Sequence, residues 1–378
     1  MSVDSLEYDH LEFDKSSVRM AWSGGHKSEY PSVWLFDNNP ANRDPRNGQR
    51  LIDVADLPHN PLIASAQANG AEVQVAWADG SVASFRLEWL GRHCPCTDHE
   101  HRVQPRMWQA SDREIVQRFP FPEILESPAR RLEWLETIAS AGMAFLSDVP
   151  TEENRVLDVA ALVGWVRDTN YGRIFDVRAM PDPNNLAYTS LSLGLHTDNP
   201  YRDPVPGLQM LHCLQAGAKG GDSTFADGFA AAEVLRSEDP DAFQVLSSTS
   251  IRFEFSDRTC HLWADRPIIE LDSEHNVTAI HYNSRSIAPL RMALDKIPAF
   301  YRAYRVLAQL LRDPDLMLTT RLEEGDLVTF DNRRILHGRT AYEAGGLRLL
   351  QGCYLDRDGL FSQIAVLSRN GGESNELR

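Results

Sequence analysis

The sequence predicts a mainly β protein: a double-sheet jelly-roll barrel with flanking helices, preceded by a small β-rich domain. Three observations carry this. The chain has 378 residues, 42% of them apolar, which is enough for two cores. From Leu186 onward the chain alternates in short strand-like runs, and only a few helical patterns interrupt them. The expected division is residues 1–105 for the small domain and 106–378 for the barrel.

In the first domain, SVWLF, AEVQVAW and SVASFRLEWL read as strands, with DNNPANRDPRNGQR as an exposed loop because it has little apolar surface to pack. HCPCTDHEHRVQPRMW, residues 93–108, reads as the linker. Helical spacing follows in ILESPARRLEWLETIASAGMAFL and in TEENRVLDVAALVGWVRDTN, the second opening on a Thr cap with acids in the first turn. Then come strand candidates GLQMLHCL, DSTFAD, SIRFEF, HLWADRPIIEL and VTAIHYN, with helices at FAAAEVLRSEDP and IPAFYRAYRVLAQLLRD. GDLVTFDN, RILHGRT and LLQGCYLDRD close the series.

The net charge of −16 and pI near 5.2 argue against nucleic acid or an acidic membrane surface as partner and favour a small-molecule substrate. There is no run of about eighteen apolar residues, and the N-terminus is acidic where a secretory leader is basic, so a cytoplasmic location is expected. Five scattered cysteines, at positions 94, 96, 213, 260 and 353, fit reduced thiols better than a disulfide framework.

Chemistry concentrates in LSLGLHTDNP. His196 and Asp198 stand two apart at a probable strand end, so both side chains point to one face and can converge on one cation. RILHGRT offers His337 as a third ligand from another strand. Two histidines and a carboxylate with open positions form the facial triad of non-haem iron(II) oxygenases. An H-x-D alone is weak, since a strand-end histidine is usually a surface or satisfied residue. Its company strengthens it: Arg348 follows His337 by eleven residues, and Ser223 follows His196 by twenty-seven. A guanidinium fork and a hydroxyl are what the far carboxylate of a bidentate co-substrate requires.

The stretches NNLAYT, LHTD, LHC, GGDSTFADGF, FDNRRILHGR and QGCYLDRD resemble the γ-butyrobetaine hydroxylases, within the taurine-dioxygenase-like 2-oxoglutarate oxygenases. The likeness runs from WLFDNNP to the C-terminus. It implies a distorted double-stranded β-helix, a homodimer, and hydroxylation of an unactivated C–H bond by O2, coupled to decarboxylation of 2-oxoglutarate. By position, His196, Asp198 and His337 match the iron(II) ligands, while Arg348 and Ser223 match the groups that bind 2-oxoglutarate. Tyr171, Phe175, Tyr188 and Tyr354 match an aromatic cage for a trimethylammonium group, a weakly hydrated cation drawn to ring faces. For each ring singly, core filler is the blander reading.

Asn185 and Asn283 match polar positions near the opposite, anionic end of a zwitterionic substrate. The chain departs from the resemblance at Asn199-Pro200-Tyr201-Arg202 and at Ser284-Arg285-Ser286, where added donors suit a phosphonate better than a carboxylate. The expectation is therefore a hydroxylase of a small trimethylammonium zwitterion, leaning to 1-hydroxylation of 2-(trimethylammonio)ethylphosphonate, with γ-butyrobetaine as the alternative. Arg202 and Arg285 facing solvent is the plainer reading of those two side chains.

The resemblance also implies a zinc site in the first domain, through D-N-C-P-C-x-x-C and a later histidine. Here Asp37-Asn38-Asn39-Pro40-Ala41-Asn42-Arg43-Asp44 and Ser81 stand instead, so no zinc is expected. His93, Cys94, Cys96, His99 and His101 crowd one segment, but C-x-C is tight for one tetrahedral ion, and a solvated loop is preferred. Rival functions are a betaine-binding jelly roll that has lost its chemistry, a hydrolase using His196 and Asp198, and a zinc hydrolase with the same three ligands. The first would break the triad or Arg348, the second lacks a G-x-S-x-G nucleophile motif, and the third leaves Arg348 and Ser223 without a task.

Overall fold

A computed structural model describes residues 7–95, 103–179, 189–343 and 346–372. The chain falls into two compact units, Met1–Arg102 and Val103–Arg378. Among the described residues, no helix is long and apolar enough to cross a membrane.

The first unit is built on two three-stranded antiparallel sheets, Tyr8–Phe13/Ser17–Trp22/Lys27–Pro31 and Ile63–Asn69/Glu72–Trp77/Val82–Arg86. Alternation works as expected in EVQVAW, where Val73, Val75 and Trp77 point inward between outward Glu72 and Gln74. Two of the expected strands are helices. SVWLFD forms Ser32–Asp37, burying Ser32 and Leu35 three apart, and LEWLGR forms Leu87–Arg92, burying Leu87 and Leu90 at the same spacing. SVWLFD has four apolar residues in a row, and in SVASFRLEWL the alternation Ala83, Phe85, Leu87, Trp89 runs on past the strand, so local pattern does not mark the helices and packing decides: Trp34 lies against Tyr30 and Trp89, and Phe36 against Trp77.

The loop that follows is held by its own polar side chains. Asn39 Oδ1 accepts from Ala41 N–H (3.0 Å), Arg43 donates to Asn38 Oδ1 (3.1 Å), Asn42 donates to Phe36 O (3.1 Å) and Arg50 pairs with Asp37 (2.7 Å). Ser81 is occupied by Asp79, at 2.6 Å. Cys94 is disulfide-bonded, against the expectation of reduced thiols, whereas Cys213, Cys260 and Cys353 are free. Cys96, His99 and His101 lie outside the described residues.

The second unit is the jelly roll. Among the described residues, a four-stranded sheet runs Leu193–His196, Ile335–Arg339, Ser223–Asp227, Leu318–Thr320. A six-stranded sheet runs Arg118–Pro120, Met143–Ser147, Leu327–Asp331, Leu208–Ala216, Arg348–Leu355, Phe175–Val177. One apolar cluster joins the two, with Phe225, Ile335 and Leu318 from the first meeting Phe145, Leu211, Phe330 and Leu350 from the second. Helices Gly228–Glu238, Pro240–Ser248 and Ile297–Leu310 form a separate core with the hairpin Ile251–Ser256/His261–Arg266.

Four boundaries differ from expectation. GMAFL leaves the helical stretch to become a strand, because Gly142 ends helix Pro128–Ala141 in the left-handed region (φ 79°), where an added Cβ would sit 2.9 Å from Ile335 Cδ1. The helix expected from Thr151 onward is confined to Arg155–Ala160, beyond which Gly164 packs backbone to backbone on Gly359. Trp108, at the end of the expected linker, is buried and donates its Nε1–H to Ala141 O at 2.8 Å. Arg357–Gly372 is an unforeseen terminal helix packed on Pro128–Ala141.

One buried ion pair ties these pieces together. Arg334 gives a two-pronged grip to Asp227 (3.0 and 2.7 Å) and donates to Ser140 O and Arg106 O, while Asp227 also accepts from Trp108 N–H and caps the helix at Phe229 N. Both side chains are almost fully buried. Arg334→Met is expected to destabilise the protein by about 3–5 kcal/mol, because Asp227 is left charged and partly unpaired in the interior. Urea unfolding followed by tryptophan fluorescence checks this, and a loss under about 1 kcal/mol would contradict it.

Candidate metal centre and cavity

Strand register assembles the centre. Leu193–His196 pairs antiparallel with Ile335–Arg339 so that His196 faces His337 across the ladder. The other edge of the same strand pairs with Ser223–Asp227, setting Phe225 opposite His337 and Ser223 opposite Arg339. Beyond His196 the chain stays extended long enough to return Asp198 to the same face. Thr197 N–H bonds Tyr282 O at 2.8 Å, and Asn199 then turns in the left-handed region (φ 53°), which asparagine tolerates better than most residues.

His196, Asp198 and His337 offer ligand atoms that all lie within 4.8 Å of one another, the only such group among the described residues. His196 Nε2 lies 3.3 Å from Asp198 Oδ1, and His337 Nε2 lies 3.8 Å from Oδ2. His196 Nδ1 donates to Gly194 O at 3.0 Å, which fixes the ring with Nε2 on the carboxylate side. Asn332 grips the Asp198 backbone from both sides, accepting from its N–H (2.7 Å) and donating to its C=O (3.0 Å). Tyr354 O–H donates to Asp198 Oδ2 at 2.7 Å.

Burial alone would raise the Asp198 pKa. The hydrogen bond to His196, the two imidazoles and the Tyr354 hydroxyl outweigh burial and hold the carboxyl well below the usual carboxylate range. His337 is pushed down to about 3, chiefly by burial and then by His196. A charged carboxylate beside a neutral, buried imidazole is the state a divalent transition metal needs, and the two-imidazole, one-carboxylate donor set fits iron(II). A depressed histidine pKa favours the neutral ring, so a falling pH does not protonate it through the ordinary range. In metal-free protein the Hε1 resonance of His337 is expected to keep its neutral shift from about pH 8 to about pH 5. A midpoint near the ordinary ~6.5 would contradict this.

The three side chains line a cavity of about 420 Å³. Of the sequence-predicted residues, Tyr171, Phe175, Asn199, Tyr201, Ser223, Asn283, Arg285, Arg348 and Tyr354 all line it as well. Asn185 and Tyr188 lie outside the described residues. Arg202 turns away, bonding Asn170 Oδ1. Asn283 borders the cavity, but both ends of its amide are engaged with backbone, Nδ2 donating to Thr197 O (3.2 Å) and Oδ1 accepting from Arg285 N–H (3.2 Å).

Arg348 presents a buried Nη1 with no hydrogen-bond partner, and its guanidinium lies 5.6 Å from the Tyr342 ring. Burial lowers its pKa. Gly221 makes room for it: at φ +75°, an added Cβ would lie 3.0 Å from Arg348 Nε. Sequence reading passed over several residues of the site. Phe255 stacks on Tyr201 (5.2 Å between centroids) and approaches Tyr171 (6.0 Å), so it belongs to the aromatic wall with Phe175 and Tyr354, themselves 4.9 Å apart. Gln209, Glu254 and buried Arg339 line the cavity too, beside Ser286 of the Ser284-Arg285-Ser286 departure already noted. Asn332 and Arg339 flank His337 within FDNRRILHGR and were reachable from that motif. Phe255, in a strand far along the chain, carried no such signal.

Comparison with known proteins agrees with this geometry. Residues 102–354, more than half of the chain, match the family described as taurine catabolism dioxygenase TauD, TfdA, and residues 64–126 match the N-terminal region described as γ-butyrobetaine hydroxylase-like. The chain is 37% identical to the γ-butyrobetaine dioxygenase of Pseudomonas sp. (strain AK-1), covering 94% of each chain, and 30% identical to that of Homo sapiens, covering 99% of this chain and 98% of the other. It is 29% identical to the mitochondrial trimethyllysine dioxygenase of Gallus gallus, covering 96% and 87%. Among solved structures, AAD-2 in complex with Mn(II) and N-oxalylglycine shares the fold, with a TM-score of 0.50 at 15% identity, covering 61% of this chain and 89% of that one. The chain therefore belongs to the TauD, TfdA family, in its γ-butyrobetaine hydroxylase-like branch, and is an iron(II)- and 2-oxoglutarate-dependent dioxygenase.

Proposed function

We propose that this dioxygenase hydroxylates an unactivated C–H bond of a small trimethylammonium zwitterion, and that its preferred substrate is 2-(trimethylammonio)ethylphosphonate, hydroxylated at carbon 1. In this reading His196, Asp198 and His337 hold iron(II), and Arg348 with Ser223 holds the distal carboxylate of 2-oxoglutarate. The observation that carries it is a single cavity whose lining holds both a set of aromatic rings and groups suited to an anion. The rings of Tyr171, Phe175, Tyr201, Phe255 and Tyr354 line it. Arg285 and the Asn199 amide also border the cavity, and Arg285 forms no ion pair or side-chain hydrogen bond in the described structure.

The rings offer π faces to a cation that cannot hydrogen-bond. Arg285 offers a fork to an anion, and Asn199 Nδ2 is a buried donor without a partner. These supports are what a phosphonate, with three oxygens, uses more fully than a carboxylate. Iron(II) and 2-oxoglutarate, when bound, supply the O2 activation that couples decarboxylation to hydroxylation. The chain's own part is to fix the substrate by both ends and to keep water from the reacting carbon. The relatives named as γ-butyrobetaine dioxygenases support the carboxylate as second reading. An intact triad and Arg348 speak against a binding module that has lost its chemistry. A cytoplasmic homodimer is part of the same proposal.

Side-by-side turnover of γ-butyrobetaine and its phosphonate analogue, with succinate measured, is the deciding assay. The phosphonate is expected to give the higher kcat/KM, and consumption of the carboxylate alone would sink the phosphonate reading. Gly221→Ala is expected to raise the KM for 2-oxoglutarate by roughly tenfold or more by displacing Arg348, with a smaller effect on substrate KM. An unchanged 2-oxoglutarate KM would remove Arg348 from its proposed task.

A further inference from the structure

Asn199 is 5% exposed and lines the cavity, and its two amide ends are treated differently. Its Oδ1 accepts the Tyr201 hydroxyl at 2.6 Å, while Nδ2 is buried with no partner. An amide can in principle rotate to swap these ends, with Tyr201 then accepting instead of donating. The distance argues for the observed arrangement, since 2.6 Å is ordinary for O–H···O and short for N–H···O. Tyr201 in turn is 3.0 Å from the Tyr171 hydroxyl, so a chain of hydroxyls running from the aromatic wall ends on Asn199.

We infer that Tyr201 is a positioning residue: by donating to Oδ1 it fixes Nδ2 as the unpaired end of the Asn199 amide, so that an anion held beside it meets a donor and no acceptor. This rests on the proposed substrate having an anionic end. The lock has a chemical consequence. A carboxylate or phosphonate accepts from Nδ2 and from Arg285 alike, whereas a neutral carboxamide places its own N–H groups against donors it cannot pair with. Selectivity then comes from the cost of an unmatched buried donor rather than from net charge alone. The Tyr201 ring is held independently, stacked on Phe255 at 5.2 Å, so removing only its hydroxyl leaves the packing in place.

The test compares Tyr201→Phe and Asn199→Asp with the unaltered enzyme. Each is given the preferred zwitterion, with a carboxylate or phosphonate end, and the carboxamide analogue of γ-butyrobetaine. Tyr201→Phe is expected to lower the anion-over-carboxamide ratio of kcat/KM by roughly tenfold, mostly through KM, because the freed amide can present either end. Asn199→Asp keeps a Tyr201 acceptor but turns a carboxylate to the cavity, and it is expected to weaken the anionic substrate by roughly a hundredfold or more. The weak visible band of the anaerobic iron(II)–2-oxoglutarate complex should survive in both variants, showing that the metal centre is intact. An unchanged ratio in Tyr201→Phe, or anionic turnover preserved in Asn199→Asp, overturns the inference. An unaltered enzyme that turns over neither zwitterion removes the functional reading and this inference with it, whereas an active enzyme with an unchanged ratio removes this inference alone.

Discussion

The antiparallel pairing that sets His196 opposite His337 is the constraint on which the rest of the site depends. Side chains alternate faces along a strand, so a slip of one residue would send one imidazole to the far side of the sheet and leave Asp198 facing a single histidine. Several contacts fix that register. His337 faces Phe225 on its other edge, Phe330 packs 4.9 Å from the His337 ring, and Asn332 clasps the Asp198 backbone. The Arg334–Asp227 pair anchors the ends of two strands of the same sheet, with Arg334 immediately before the His337 strand and Asp227 closing the Ser223 strand. The metal-binding geometry is thus a by-product of sheet pairing, and the catalytic unit needs no flexible loop to bring its two histidines together.

A chain of net charge −16 places three arginines, Arg285, Arg339 and Arg348, around one cavity whose described acids are Asp198 and Glu254. Burial lowers the pKa of all three guanidiniums, and buried cations without carboxylates are costly to hold. Arg339 offsets this locally by donating to the carbonyls of Thr189 and Leu191 and lying over the Tyr342 ring. Arg348 also lies over the Tyr342 ring, but among the described residues neither it nor Arg285 donates a side-chain hydrogen bond to a carbonyl or carboxylate, and their charge is best compensated by molecules that enter. A keto-diacid for Arg348 and an anion-bearing substrate for Arg285 would balance the cavity, which is why the proposed function needs two anionic guests rather than one.

What the sequence disclosed, and what it did not, follows from how local each signal is. The H-x-D turn, the distant histidine and the arginine eleven residues beyond it are short motifs tied to strand periodicity, so their convergence was legible. The barrel was legible for the same reason, in many short alternating runs. Ser32–Asp37 was misread as a strand because its run of four apolar residues fits either period, and Leu87–Arg92 because the alternation of the preceding strand continues into it. Phe255 was missed because its place in the wall depends on the hairpin Ile251–Ser256/His261–Arg266 lying beside Tyr201, a long-range contact that no local pattern encodes. Asn283 differs: it borders the cavity, and its amide is engaged by the Thr197 and Arg285 backbone, a use that the sequence does not signal.

Tyrosine, rather than phenylalanine, recurs in the aromatic wall where the wall meets the centre. A quaternary ammonium needs only ring faces, for which phenylalanine would serve, so the hydroxyls call for a separate explanation. Tyr354 uses its hydroxyl to hold Asp198 at 2.7 Å, and Tyr201 uses its own to hold Asn199. Each ring is therefore tied to a polar side chain on the turn that carries Asp198, and the wall cannot shift away from the carboxylate without breaking a buried hydrogen bond. That coupling fixes the spacing between the surface suited to a cation and the atoms suited to a metal. In a substrate of a few carbons, a displacement of one C–C bond changes which hydrogen is presented, so the tyrosine hydroxyls would contribute to regioselectivity through rigidity, without touching the reacting carbon.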